Sequence, residues 1–188
     1  RLGIEPEYLV CSNGALTLKR DADAATGYRR EYVETFDPSE ATAAIRANAA
    51  AWQALLADPR ASERPNDHQW SAVEYGCHVR DVYRLYRYRL NLMLDKDGPQ
   101  FLNWDQDQTA IDDRYDLQDP SAVARELATA ADELAVAFAT VQPDQWDRTG
   151  FRSDGAAFTI DSFSRTSSAA RRPSMSRLNW MMTTEMPS

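Results

Sequence analysis

The chain has 188 residues, a formal net charge of −8 at pH 7 and two cysteines. Nucleic-acid backbones bind clustered cations, so an acidic chain argues against that class of partner. No run of about 18 apolar residues could span a bilayer, and the absence of a charged-then-apolar leader argues against secretion. Two cysteines are too few for a disulfide framework. We therefore expect a cytoplasmic protein with one core domain and with neither membrane nor nucleic acid as a partner.

The sequence pattern of residues 1–36 differs from that of the rest of the chain and predicts β-strands. Two short strand-like runs, at residues 8–11 and 15–18, flank Ser12-Asn13-Gly14, which is a hairpin signal. We expect an N-terminal extension here that is β-hairpin-like or irregular.

The same extension resembles a segment of Cof-type phosphatases of the haloacid dehalogenase superfamily. The similarity lies in VCSNGA at residues 10–15 and in YRRE at residues 28–31. The family's nucleophile motif, Asp-x-Asp followed by Gly-Thr, is absent, because Ala24 follows Asp21-Ala22-Asp23. A phosphatase fragment is therefore the weakest of the functional alternatives.

Two helices are indicated by proline caps followed by apolar periods. Asp37-Pro38 and Asp119-Pro120 each place an N-cap residue before a proline at the first helical position. Apolar residues then recur at helical spacing in both segments. The predicted core positions are Ile45, Ala49, Trp52 and Leu56 in the first helix, and Val123, Leu127, Ala131, Leu134, Phe138 and Val141 in the other.

The longest predicted helix spans residues 71–97. Ser71 and Glu74 form a capping box at its start, and Gly98-Pro99 ends it. One stripe recurs along it at steps of three, four and seven residues and contains a histidine. The members of this stripe are Tyr75, His78, Val82, Leu85 and Leu92. We expect this face, and His78 with it, to point into a helical bundle.

Residues 99–119 predict a long acidic loop between helices. A loop of this length is uncommon in a compact domain and is more often functional or mobile. Asp105 and Asp107 resemble the start of a calcium loop, but Ala110 stands where the turn glycine is required. We expect a solvated acidic loop.

The C-terminal part predicts a fourth helix that is cut short. Thr159 has the character of its N-cap, and Ile160 and Phe163 begin an apolar stripe. From Ser164 onward the composition turns to Ser, Thr, Arg and Met, so we expect an irregular tail over residues 166–188. We hypothesise that this tail is a frameshift product and that the N-terminal extension is a foreign join, which sequencing the gene would test.

Three motifs resemble the DinB-like superfamily. They are WSAVEYGCHVRDV at residues 70–82, NWDQD at residues 103–107 and RSDG at residues 152–155. The similarity runs from about residue 40 to residue 165 and is to actinobacterial members related to mycothiol-dependent maleylpyruvate isomerase. It implies an all-α fold, an up-down-down-up four-helix bundle over residues 37–165, in which the fourth helix is incomplete here.

The resemblance also implies a metal site and a pocket. Relatives with an intact site bind a divalent metal, zinc or nickel, through three histidines, and His78 lies at the position of the first. The other two form a His-x-x-x-His on the fourth helix, whereas this chain contains only His68 and His78. Because a catalytic metal normally has three protein ligands plus an open position, we expect a degraded site. The candidates for its pocket are Asp81, Trp104, Asp105 and Asp107.

Two main functions follow from the resemblance. The first is an ancestral metal-dependent transferase, isomerase or hydrolase acting on a small molecule or a thiol of the mycothiol type, with His78 as one ligand. The second is a non-catalytic helical protein for binding or stress. A homodimer could complete the bundle by lending a helix.

Overall fold

The computed structural model describes residues 8–10, 17–20, 28–30 and 38–169, with side chains described for residues 41–164. The N-terminal segment forms an antiparallel sheet of three short strands in the order β1-β2-β3. These strands are β1 (Tyr8–Val10), β2 (Thr17–Arg20) and β3 (Tyr28–Arg30). Leu9 pairs with Leu18, as the predicted hairpin requires, and β3 is an addition to it. The predicted turn Ser12-Asn13-Gly14 lies outside the described residues.

The rest of the described chain is a four-helix bundle, so the predicted all-α class is confirmed. Two of its helices, α1 and α2, both pack against α4, and the short helix α5 lies against α1 and α2. A further short helix, α3, precedes α4. The five helices are α1 (Pro38–Leu56), α2 (Ala72–Asp95), α3 (Gln106–Asp112), α4 (Pro120–Ala139) and α5 (Ile160–Ala169). No helix in the described ranges is long and apolar enough to cross a membrane.

The helix starts agree with the predicted caps. The Ser71 hydroxyl accepts from the Glu74 amide, and the Glu74 carboxylate accepts from the Ser71 amide at 2.8 Å, which is a complete capping box. Trp70 packs edge-on against Tyr75 at 5.6 Å between ring centroids, the hydrophobic staple of the same helix. Asp119 caps α4 through the amide of Ala122 at 2.8 Å. All ten core positions predicted for α1 and α4 are buried.

The buried face of α2 is rotated from the predicted stripe. Of that stripe only Tyr75 is buried, while His78, Val82, Leu85 and Leu92 are half-buried. The buried face consists of Val73, Cys77, Arg80, Tyr83, Arg89, Leu90 and Met93, together with the first turn. Adjacent residues on a helix differ by about 100° in direction, so a one-residue offset moves the stripe to the edge of the core. The prediction was wrong because apolar spacing gives no weight to arginines, and two of them, Arg80 and Arg89, are buried on this face.

The segment predicted as one acidic loop contains regular structure. A second small sheet combines β4 (Gln100–Phe101), β5 (Thr149–Arg152) and β6 (Ala157–Thr159), with β4 parallel to β5 and β5 antiparallel to β6. Helix α3 and a 3-10 turn at Tyr115–Leu117 follow β4. The fourth bundle helix, α5, begins after Thr159 as expected and runs through residue 169, past the expected start of the tail. Residues 170–188 lie outside the described ranges.

Candidate functional site around His78

His78 lies on α2 between two tryptophan rings. The indole of Trp104 stacks on its imidazole, with 5.4 Å between ring centroids and 12° between planes, and Trp70 lies at 6.0 Å in a tilted orientation. The residue is half-buried as a whole, but its Nδ1 atom is fully buried and has no hydrogen-bond partner among the residues that the structure describes. Such an atom has lost its water without gaining a bond, which commonly marks a functional position or a place for a small guest.

The environment of His78 keeps its imidazole neutral at neutral pH. Burial lowers its pKa from 6.5 to about 4, and the negative charge of Asp81 opposes this only in part. A neutral imidazole is the protonation state that binds metals and that accepts hydrogen bonds. The protonation state of His78 is therefore suited to a ligand.

Asp81, one turn further along α2, is fully occupied by other partners. Its Oδ1 accepts from Arg80 at 2.9 Å and from Arg84 at 3.1 Å, and its Oδ2 accepts from Arg80 at 2.9 Å and from Tyr115 at 2.6 Å. Burial works against ionisation, but the hydrogen bonds from Arg80 and Tyr115 keep the pKa of Asp81 below its usual value. Asp81 thus fastens the segment after α3 to α2.

The other pocket candidates lie at the start of α3. Trp104 donates its indole N–H to the Thr109 hydroxyl at 2.8 Å, which fixes the ring over His78. Asp105 is exposed and is the N-cap of α3, since its carboxylate accepts from the amides of Asp107 at 3.1 Å and Gln108 at 2.9 Å. The Asp-x-Asp pattern is therefore explained by helix capping.

Asp107 lines an open groove of about 460 Å³ that Trp70 also borders. The remaining lining residues are Arg64, Glu74, Ala110, Ile111, Arg114 and Asp116. Arg64 and Glu74 form a close ion pair across it, and Arg114 pairs with Asp116 at 3.1 Å. The four pocket candidates thus have different positions. Trp104 lies against His78, and Asp107 lines the groove. Asp81 is bonded to Arg80 and Tyr115, and Asp105 caps α3.

The residues present do not fit the three-histidine metal site of the resemblance. Within the described ranges, no three His, Cys, Asp or Glu residues are grouped so that they could hold an ion. His68 is exposed in the loop before α2. Residues 165–188 contain no histidine or cysteine and only one acid, Glu185. Among the side chains that the structure describes, the donor set at His78 is one imidazole.

Tyr75, which the predicted stripe already placed on the face of His78, is a member of this site. Within the described ranges its hydroxyl, like Nδ1 of His78, is buried and has no hydrogen-bond partner. Sequence reasoning missed Tyr115, which is 1% exposed and connects the segment after α3 to Asp81. The position of Tyr115 depends on the path of residues 99–119, which no periodic pattern indicated.

The four-helix bundle, in which α4 packs against both α1 and α2, and the small β4-β5-β6 sheet agree with the class to which the chain belongs. It is a member of the DinB superfamily, whose family model matches residues 44–166.

Among solved structures, the chain is similar to YfiT from Bacillus subtilis, described as a probable metal-dependent hydrolase with an unusual four-helix bundle topology. The match has a TM-score of 0.65 at 15% sequence identity and covers 81% of this chain and 93% of YfiT. At this identity the likeness concerns the fold. No curated protein matches the chain.

Proposed function

We propose that this chain is a DinB-superfamily protein that has lost the catalytic metal of its lineage and now binds a small molecule without metal chemistry. The lineage in question is that of metal-dependent thiol transferases, isomerases and hydrolases. The observation that carries the proposal is the surroundings of His78. Its ring is covered by Trp104, and the nearest acid, Asp81, has both oxygens bonded to other groups.

The groove beside Trp70 supports a binding role. It combines an aromatic wall with paired charges of both signs, which suits a small polar guest. Arg64 and Glu74 form a close ion pair in the lining of this groove. The Glu74 carboxylate also accepts from the Ser71 amide, which fixes its position.

Metal analysis of the purified full-length protein tests the proposal. We expect far less than one equivalent of zinc or nickel per chain, both as purified and after incubation with either ion followed by gel filtration. About one tightly held ion per chain that disappears in His78→Ala and persists in His68→Ala would overturn it. His68 is the matched control because it is exposed, away from the tryptophans.

The second candidate is a surviving metal-dependent transferase or hydrolase that uses a thiol of the mycothiol type. The observation that favours it is the neutral, unpaired imidazole of His78, which has the protonation state of a ligand. The same metal measurement decides between the two functions.

We also propose that the protein forms a homodimer in which a helix of one copy completes the bundle of the other. Exchange of an identical element between two copies is a low-cost route to a dimer. Light scattering during gel filtration should give twice the monomer mass, and a monomer at all accessible concentrations would contradict this.

A further inference from the structure

Arg89 is a buried cation at the opposite end of α2 from the capping box. The residue is 5% exposed, and its guanidinium lies over the ring of Phe101 at 4.9 Å. Its Nη2 donates to the carbonyl of Leu102 at 2.9 Å. Its Nε is buried and has no hydrogen-bond partner. At about 1.5 Å per residue, Arg89 lies roughly 16 Å along the helix from His78, so the two places are separate.

The charge of Arg89 has no acidic counterpart within the part of the chain that the structure describes. No carboxylate of that part lies within 4 Å of its guanidinium. Asp154, the acid whose charge acts on Arg89, uses both oxygens on Arg152, at 2.9 and 2.6 Å. A buried ion without a counter-charge is unfavourable by several kcal/mol in most proteins, so such a group is retained where something else supplies the charge.

The neighbours of Arg89 are a second arginine and several aromatic rings, a set that favours an anion. Arg152 lies over the ring of Phe158 at 5.7 Å, and the rings of Phe101 and Phe158 are 6.4 Å apart, so the two guanidiniums cover adjacent rings of the small sheet. Tyr86, one turn before Arg89, stacks on Phe163 at 5.2 Å. Both arginines act on its phenol electrostatically.

Two polar atoms of Arg89 and Tyr86 are available to a guest. Nη1 of Arg89 and the hydroxyl of Tyr86 have no partner in the described ranges, and neither belongs to the buried unpaired atoms, so both retain contact with solvent. A guanidinium nitrogen and a phenol are both donors, and residues three apart on a helix are neighbours, so the two can serve one acceptor group.

We propose that Arg89 and Tyr86 bind the carboxylate of a small organic acid at the junction of α2, α5 and the β4-β5-β6 sheet. The uncompensated charge is a single positive one, which a monoanion neutralises. Nη1 of Arg89 can donate a charge-assisted hydrogen bond to one oxygen of a carboxylate, while the phenol of Tyr86 donates to the other. The neighbouring rings of Phe101 and Phe158 exclude water, and this strengthens the interaction between the guanidinium and the carboxylate.

Nuclear magnetic resonance of the Arg89 Nε–H group tests this on the full-length protein. The probes are acetate, its uncharged isostere acetamide, and inorganic phosphate, each added at millimolar concentrations against a sodium chloride reference. We expect a saturable shift of this signal with acetate and none with acetamide. An acetate effect that equals the chloride effect, or phosphate binding more tightly than acetate, would overturn the carboxylate assignment.

Three variants locate the site. In the variants, acetate binding is followed by the ring-proton signals of Phe101, over which the Arg89 guanidinium lies. Arg89→Gln should remove this acetate response, and Arg87→Gln should leave it intact, because Arg87 lies two residues away on the same helix and pairs with Glu133 at 3.3 Å on the surface. Tyr86→Phe retains the ring that stacks on Phe163 and should weaken acetate binding several-fold. If Arg89→Gln does not fold, Tyr86→Phe alone decides, and an unchanged acetate affinity in that variant contradicts the proposal.

Discussion

The indole of Trp104 lies nearly parallel to the imidazole of His78, with 5.4 Å between the ring centroids. The contact crosses from the start of α3 to α2 and covers the face of the only histidine in the bundle core. The indole shields the imidazole from water, and this burial is the main cause of the lowered pKa of His78. Trp104→Ala should therefore expose the imidazole and raise its pKa from about 4 toward 6.5.

A titration of the His78 ring protons by nuclear magnetic resonance measures that change. Ile111→Ala is the matched control, because Ile111 lies on α3, the helix that Trp104 precedes, and is 65% exposed. A pKa that stays near 4 after removal of the indole would show that the coverage comes from elsewhere.

The pH dependence of stability follows from the same group. The folded-state pKa of His78 is below its unfolded value of 6.5, so the unfolded chain binds the proton more readily. Stability is then fully present above 6.5 and is lost as the pH falls toward 4, by about 2 kcal/mol between pH 7 and pH 5. Urea unfolding of the wild type and of His78→Gln at both pH values should show a smaller acid effect in the variant. Equal acid effects in both proteins would count against the buried neutral imidazole.

Tyr115→Phe should destabilise the protein through one hydrogen bond. The Tyr115 hydroxyl donates to the Asp81 carboxylate at 2.6 Å, and Tyr115 is 1% exposed. A buried hydrogen bond to a charged group contributes about 1.5–3 kcal/mol, and Asp81 keeps its Arg80 partner, so we expect a decrease in unfolding free energy near the lower figure. Tyr88→Phe is the control, since Tyr88 is 58% exposed. Equal free energies of unfolding for the two variants would contradict this role.

Gly150→Ala should destabilise the junction between β5 and α2 by overpacking. A Cβ at this position would lie 2.7 Å from the ring of Phe101 and 2.9 Å from the side chain of Met93. Strain of this kind typically costs about 1–3 kcal/mol. Chemical denaturation of Gly150→Ala, alone and combined with Phe101→Leu, measures it. The glycine change should cost less in the Phe101→Leu background, and strictly additive effects would show that the ring is not the obstacle.

The sequence could predict those parts of the fold that depend on local signals. Ile45 and Leu127 recur with their neighbours at helical spacing, and Ser71 and Asp119 carry side chains that cap helices, so α1, α2 and α4 were recognisable. The β5-β6 hairpin was not, because strands of four and three residues leave almost no period to detect.

The candidate site was less predictable because its residues are defined by contacts between distant segments. His78 was found through its family position, and Trp104 lies against it because of the hydrogen bond that fixes its indole to Thr109. The burial of Arg80 could not be inferred, since it depends on Asp81, Gln118 and Glu126 meeting the guanidinium. A hydropathy pattern places arginine outside, which shifted the predicted face of α2.

Cys77, next to His78, can be used to measure how often the helices of the bundle separate. Its side chain has no exposure, and burial raises the pKa of its thiol to about 12, so the nucleophilic thiolate is nearly absent while α2 is packed. In a Cys11→Ser background, alkylation of the remaining sulfur would therefore proceed only as fast as α1 and α4 separate from α2. The time course of that modification would measure how often the helices part under native conditions.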